Sequence, residues 1–413
     1  MTTTSMSAKW KYMIIVLLFV GWSLGNLDRF MMNYAVITIK EDLGLSASST
    51  GILLSSFFAG YALMQIPGGW LGDRFGFRKI IIISVLLWSI FTGLTGVAWS
   101  LWSMIIIRFL FGISEGSYFP SASKAIANWF PQNERSRAMS FMLASGSIMG
   151  VLTPLLGTLM MESIGWRVMF YIIGGAGLIM ALLFVLFLKE QKNVPSNKAT
   201  EKVNRTKAPL KTILKTPMIW NLFIAYFSIY AVYWGLMTWS PTYLHDVYGL
   251  DLKEVGIVSA IPSFIGIFSM FISGYILDKI PEGKDKLAAA IAAIISGLFL
   301  YLMIITPNIT MFIIYKSLIT ICFSFNIVLI ASAPLKMLPE EVIGSANGFI
   351  NTGAQFAGVL TPMLIGFLVD AFNGSYNAGF ILLVGFALLC GISLLLIRSS
   401  KNVSVDIASK AVN

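Results

Sequence analysis

A chain that repeatedly offers about 20 consecutive apolar residues, separated by short polar connectors, is suited to fold in lipid. There each run becomes a helix that satisfies its own backbone hydrogen bonds. This 413-residue sequence offers such runs twelve times, at approximately 12–35, 50–70, 80–100, 103–126, 138–161, 166–188, 216–244, 253–277, 287–305, 309–335, 342–370 and 375–398. Charged residues make up only 12% of the chain, against roughly 25% in soluble domains. A water-facing surface of this extent needs more charge than that. The first run is longer than a signal-peptide core and ends without a small-residue cleavage site, so it reads as a retained span.

A formal charge of +10 in a soluble protein would suggest nucleic acid as a partner. Here Lys and Arg gather in alternate connectors, at Lys9 and Lys11, Arg74, Arg78 and Lys79, Arg135 and Arg137, and again at Lys279, Lys284 and Lys286. The opposite connectors hold only Lys40, Arg167 and Lys253. By the excess of basic residues on the cytoplasmic side, both termini are expected in the cytoplasm of a cell that carries the chain in its inner (plasma) membrane. The stretch 189–215 contains Pro195, Pro209 and eight basic side chains and reads as a cytoplasmic linker. It separates a six-helix bundle over 1–188 from a second over 216–413, which ends in a cytoplasmic tail. The fold class is therefore an all-α membrane protein with 12 transmembrane helices in two pseudo-symmetric bundles.

The halves look like repeats. Gly150-Val151-Leu152-Thr153-Pro154 recurs as Gly358-Val359-Leu360-Thr361-Pro362, 208 positions later, and the same offset takes Pro131 to Pro339. Duplicated halves fit a carrier that rocks around a central site.

Charge at membrane depth is costly and calls for a partner or a watered cavity. Asp28 and Arg29 in span 1, Arg108 and Glu115 in span 4, and Lys316 in span 10 stand out. Lys124, near the inner end of span 4, can snorkel and asks for no functional reading. Arg108 and Glu115 are two turns apart on one helix face, about 10 Å along the axis. Asp28 and Arg29 are expected in the outer half of span 1. Lys316 stands at Arg108 plus 208, whereas Phe323 holds the place that corresponds to Glu115. The set has one cation in excess, which favours a small anion and disfavours free metal ions. A static ion-pair network holding helices together would explain the four charges of the first half without transport. A structural lysine would likewise explain Lys316.

A carboxylate whose proton affinity depends on whether an anion has claimed its arginine links the two binding events. Glu115, the deeper acid, is assigned to the proton, with Asp28 as a second, gating acid. Arg29 suits a substrate carboxylate because its guanidinium fork matches a planar anion. Arg108 assists it or holds Glu115. Tyr61, Gln65, Asn326 and the stripe Asn347, Asn351 and Gln355 offer groups that could read hydroxyls. Tyr226, Tyr230 and Tyr233 form a helical stripe that is more often packing than ligand contact.

Between spans 2 and 3 lies Gly69-Trp70-Leu71-Gly72-Asp73-Arg74-Phe75-Gly76-Phe77-Arg78-Lys79. Its glycines permit a tight turn, and Asp73 can accept from a helix N-terminus or pair with a base. With Gly69, Arg74, Gly76 and Arg78 it reads as a conformational latch. No Gly-Lys-Ser/Thr follows, so it is not a nucleotide loop. Cys322 and Cys390 match no metal or redox spacing, and His245 stands alone. Neither a cofactor nor a metal is expected.

This connector resembles the signature of the major facilitator superfamily, and the six-plus-six spans, basic linker and duplicated halves extend the resemblance along the chain. Asn26-Leu27-Asp28-Arg29 and Arg108-Phe109-Leu110-Phe111-Gly112-Ile113-Ser114-Glu115-Gly116, running on to Pro120, resemble the anion:cation symporter family. Bacterial members take up hexuronates, aldonates and aldarates with protons, and animal relatives carry glutamate, phosphate or sialic acid. The resemblance implies Arg29 at the substrate carboxylate, Asp28 and Glu115 in protonation, Arg108 coupled to Glu115, and Tyr61 and Asn351 at the substrate. It departs at Gly146, where some sugar-acid members carry a polar amide, and in the added Lys316, which pulls toward a second anionic group. The expected function is a proton-coupled sugar-acid importer, functional as a monomer in lipid. The alternative is another organic anion: an aromatic carboxylate, a dicarboxylate or a sulfonate. A drug exporter would not need the excess cations, a channel would not need the latch, and an enzyme would need a catalytic cluster.

Overall fold

The computed structural model describes residues 2–190, 217–281, 284–337 and 340–397, with side chains omitted for 2–8 and 335–345. The expected linker beyond Glu190, the connector Pro339 and the tail after Ile397 lie outside the described residues. The chain is all helical there: α1 (Thr2–Leu43), α2 (Ala47–Phe75), α3 (Phe77–Thr95), α4 (Leu101–Gly116), α5 (Tyr118–Trp129), α6 (Gln132–Phe187), α7 (Pro217–Tyr248), α8 (Leu252–Lys279), α9 (Asp285–Ile305), α10 (Ile309–Met337), α11 (Glu340–Ala371) and α12 (Asn377–Leu395). Ten of these, all except α4 and α5, are long and apolar enough to cross a membrane. Leu182, Ile179, Phe271 and many other large apolar side chains are exposed, which only a lipid surround makes favourable.

Three boundaries differ from the sequence reading. Helix α1 continues well beyond 35, because the charges of its last turns are paired. Lys40 reaches Asp246 at 2.8 Å, and Asp42 accepts from Trp166 Nε1 at 2.8 Å and from Arg167 at 2.7 Å. Asp28 and Arg29 therefore lie nearer the middle of their helix than expected. The span expected at 103–126 is two helices that meet at Ser117. Pro120 lacks an N–H, and its ring crowds the carbonyl four residues back, at Gly116. The spans expected at 138–161 and 166–188 are merged as the 56-residue α6, which turns sharply at Gly165 with φ 78° and ψ 157°. A side chain there would be strained.

Contacts divide the chain into two compact units, Met1–Pro195 with Pro241–Ala260, and Ser196–Ser240 with Ile261–Asn413. In the first, α1 packs on α6, α3 on α4 and α6, and α2 on α4. The α2–α4 seam is backbone against backbone. A Cβ on Gly60 would lie 2.1 Å from the Phe109 carbonyl oxygen, one on Gly112 2.2 Å from that of Phe57, and one on Gly116 2.7 Å from that of Tyr61. Small residues four apart allow this approach, which in lipid gains van der Waals contact over the whole seam. Gly112→Ala is expected to destabilise the protein by about 3 kcal/mol or more, the upper range for overpacking. Gly175→Ala, whose Cβ meets nothing within 4 Å, should be neutral or slightly stabilising. Thermal unfolding of the detergent-purified variants checks both, and equal melting temperatures would contradict the seam.

In the second unit α9 packs on α10 and α12, and α11 on α12. The repeated motif falls inside a helix in both halves, with Pro154 in α6 and Pro362 in α11. Thr153 and Thr361 are both fully buried, and neither hydroxyl has a partner among the described residues.

Candidate ion-pair site

The four charges of the first unit form two pairs between α1 and α4. Arg108 Nη1 donates to Asp28 Oδ1 at 2.8 Å and its Nη2 donates to Thr95 Oγ1 at 2.9 Å. The other Asp28 oxygen accepts from Thr92. One turn toward the N-terminus of α1, Arg29 Nη2 donates to Glu115 Oε1 at 2.5 Å. Helix side chains lean toward their own N-terminus, so Arg29 runs back along α1 to the level of Gly25. A Cβ on Gly25 would lie 3.2 Å from Glu115 Oε1, so the missing side chain lets the carboxyl rest against α1.

The expected coupling of Arg108 to Glu115 is not a direct bond here: the pairs cross, each α4 charge meeting a residue of α1. The reason is the spacing itself. Two turns along α4 keep Arg108 and Glu115 about 10 Å apart, whereas Asp28 and Arg29 approach α4 from adjacent positions about 100° apart.

The pairs differ in access. Side-chain exposure is 2% for both Arg108 and Asp28, and 0% for Glu115, but 11% for Arg29. Arg108 is also covered by the rings of Phe111 and Phe170, at 5.2 and 4.8 Å. Arg29 is therefore the least buried of the four. Its guanidinium faces Phe57 and Tyr61, both at 4.9 Å, and Trp22 at 5.8 Å. The Tyr61 hydroxyl interacts with Arg29 and Gln65. Arg29 Nε and Glu115 Oε2 are buried without a partner among the described residues. This leaves one donor and one acceptor unused beside the pair, and such groups are costly unless something else satisfies them. Gly146, the departure noted above, lies near Asn26, with a Cβ there 3.8 Å from the amide.

In the second unit, Lys316 is half-buried on α10 and takes part in no ion pair among the described residues. Asn326 is fully buried, donates to the Cys322 carbonyl at 2.9 Å, and has an unpartnered Oδ1. Along α11, Asn347 and Gln355 are half-buried and Asn351 is exposed. Tyr226, Tyr230 and Tyr233 pack on one another, and Tyr233 stacks on Phe323 at 4.5 Å, which is the packing role.

The latch residues lie at one end of the first unit. Gly68 of α2 rests on Ser117, between α4 and α5, and Gly72 rests on Ser121 of α5. Asp73 pairs with Lys124 at 2.6 Å, and Lys124 also donates to the Gly69 carbonyl at 2.7 Å. Lys124, read above as merely snorkelling, is thus bound to the connector: the break at Ser117 redirects α5 so that its side chain meets the end of α2. Gly76 takes φ 87°, and the Glu190 carboxylate lies where a Cβ would go, 2.6 Å away. The same carboxylate accepts from the Arg78 backbone N–H at 3.1 Å, and the Arg78 guanidinium donates to the Val185 carbonyl at 2.8 Å. Arg74 lies over Trp70 and Phe75.

Thr92, Thr95, Gly25 and Glu190 escaped the sequence reading, and Lys124 was given no functional role in it. The threonines, three apart in an apolar span, were a legible polar face. The other three act through contacts between distant segments.

The sequence profile of the Major Facilitator Superfamily matches residues 15–362. The probable sulfoacetate transporter SauU of Cupriavidus necator is 30% identical over 91% of this chain and 90% of its own length. The probable galactarate/D-glucarate transporter GudP of Bacillus subtilis is 30% identical over 94% and 91%. Among solved structures, a bacterial homolog of the human lysosomal transporter Spinster, in an inward-facing and occupied conformation, superposes with a TM-score of 0.78 at 20% identity, over 96% of this chain and 98% of that one.

Proposed function

The chain belongs to the Major Facilitator Superfamily, and from that premise we propose that it is a proton-coupled symporter that imports a small organic anion by alternating access. The proposed architecture is twelve crossings in two six-helix bundles, 1–188 and 216–413, joined by the linker 189–215. Counting α4 with α5 as one broken crossing and α6 as two crossings supports it. Both termini are placed in the cytoplasm on the distribution of Lys and Arg, and the membrane is the cell's inner one.

The observation that carries the reading is the state of Arg29. It is held by Glu115 through one nitrogen, keeps an Nε without a partner among the described residues, and is the least buried of the four charges. An anion arriving at Arg29 competes with Glu115 for the guanidinium. Once released, the carboxyl is a buried charge without a partner, and binding a proton removes that cost. Anion and proton therefore promote each other's binding, which is symport. Asp28 has both oxygens engaged, by Arg108 and Thr92, so either becomes available only when that pair opens. This suits a role in gating. Tyr61 shields Arg29 and offers its hydroxyl to the substrate. In the second unit Lys316, Asn326, Asn347, Asn351 and Gln355 are the proposed substrate-reading groups. Gly69, Asp73, Arg74, Gly76 and Arg78 form the latch, with Lys124 and Glu190 added as its local partners.

The substrate is proposed to be a sugar acid: a hexuronate, aldonate or aldarate. A sulfonate is the second reading, favoured by the similarity to a sulfoacetate transporter. Purified protein in proteoliposomes, offered a panel of sugar acids and sulfonates with and without an inward proton gradient, tests both. At least one of these acids is expected to accumulate only when the gradient is present. Accumulation that ignores the gradient for every acid, or uptake of none, would refute the proposal.

A further inference from the structure

Phe57 has no polar group and stands in the sequence as one apolar residue among many. In the structure it lies against the arginine on which the proposed transport depends. The Arg29 guanidinium is 4.9 Å from the centre of the Phe57 ring and 4.9 Å from that of Tyr61. The two centres are 5.7 Å apart, so both rings lie on one side of Arg29. Residues four apart share a helix face, and α2 thus presents them as one platform. The Phe57 ring is itself fixed. It is buried, meets Phe58 edge-on at 5.1 Å, and leans on Phe111 of α4 at 5.5 Å. Its carbonyl oxygen is the atom that a Cβ on Gly112 would meet at 2.2 Å.

The α2–α4 seam makes this platform and Glu115 parts of one body. Arg29 reaches that body from α1 and is gripped twice. One grip is the Glu115 carboxylate at 2.5 Å. The other is the attraction of a guanidinium for the faces of aromatic rings. An arriving anion competes with the first grip and leaves the second untouched.

We infer that Phe57 is a positioning residue of the anion site: it holds the Arg29 guanidinium in place once Glu115 has released it. The inference rests on the reading above, in which the anion displaces Glu115. In the empty protein Glu115 pins the arginine, with or without the ring. In the loaded protein that pin is gone, and without the ring the side chain regains rotamer freedom that the anion must remove again. The ring contact itself is lost from both states, so it lowers stability and cancels from the affinity. What remains in the affinity is the ordering of Arg29.

The experiment measures binding and exchange of galactarate, galacturonate and sulfoacetate by the purified full-length protein, as wild type and as Phe57→Leu, Phe57→Met and Phe57→Tyr. Leucine and methionine refill much of the space without a ring face. Both are expected to weaken binding of the acid that the wild type prefers by about threefold to thirtyfold, the rotamer freedom of one arginine. Exchange at saturating acid should keep its maximal rate, which also shows the variants to be folded. Phe57→Tyr keeps the ring and should recover most of the affinity. The deciding comparison uses Arg29→Lys, whose ammonium has no plane to lay on a ring. There, adding Phe57→Leu should change the affinity by less than about twofold, since the ring has no guanidinium to hold. An equal loss beside Arg29 and in Arg29→Lys marks a packing role and overturns the inference. So does unchanged affinity in Phe57→Leu and Phe57→Met, or a Phe57→Tyr no better than either. Each of these results leaves the symport reading standing, because accumulation under a proton gradient tests that reading separately. A wild type that binds none of the three acids removes both.

Discussion

Alanine in place of Arg29 abolishes uptake: proteoliposomes carrying the variant take up no more substrate than empty ones, and binding falls more than a hundredfold. The size follows from losing a charge-assisted fork at about 1.5–3 kcal/mol per contact. Removing Arg29 also leaves Glu115 charged, wholly buried and alone, at a cost of about 3–5 kcal/mol. The variant is therefore expected to melt earlier as well. Arg29→Ala with Glu115→Gln separates the two effects, since the orphaned charge is gone. The pair should regain much of the lost stability and none of the uptake. Arg29→Lys keeps the charge without the planar fork and should retain weakened transport. Full uptake by Arg29→Ala would eliminate Arg29 as the anion clamp.

Glu115→Gln is expected to lose accumulation and keep exchange. Glutamine fills the space of a protonated glutamate and still offers an oxygen to Arg29, so substrate binds and crosses. It cannot release a proton, so an inward gradient no longer drives substrate uphill. Labelled substrate should still swap with unlabelled substrate across the membrane at a rate comparable to wild type. The pH dependence of that exchange should flatten. If the variant concentrates substrate as fast as the wild type, the proton is carried elsewhere, and Asp28 becomes the leading candidate.

Much of this was legible in the sequence because lipid imposes blunt rules. Runs of apolar residues revealed most of the helices, and the cost of charge at depth singled out Asp28, Arg29, Arg108, Glu115 and Lys316 before any contact was known. Pairing was not legible. The sequence places Arg108 and Glu115 on one face and the family resemblance couples them, but the bonding partners are decided by how α1 lies against α4. The break at Ser117 and the turn at Gly165 were hidden for a related reason: apolar composition continues across both, and the local signals, Pro120 and a single glycine, are ones that membrane helices often absorb. Lys124 looked like an ordinary snorkelling side chain because its partner, Asp73, comes from a connector fifty residues earlier.

The bare seam of Gly60, Gly112 and Gly116 bears on how the carrier can work. Two helices in direct main-chain contact have no layer of side chains that could reshuffle between them, so Tyr61 and Glu115 should travel as one rigid piece through every stage of the cycle. Spin labels placed on these two helices should report a constant separation whether the protein is empty, loaded or protonated. Any local change at the acid must then come from α1, whose glycine and arginine touch Glu115 through atoms that are free to slide.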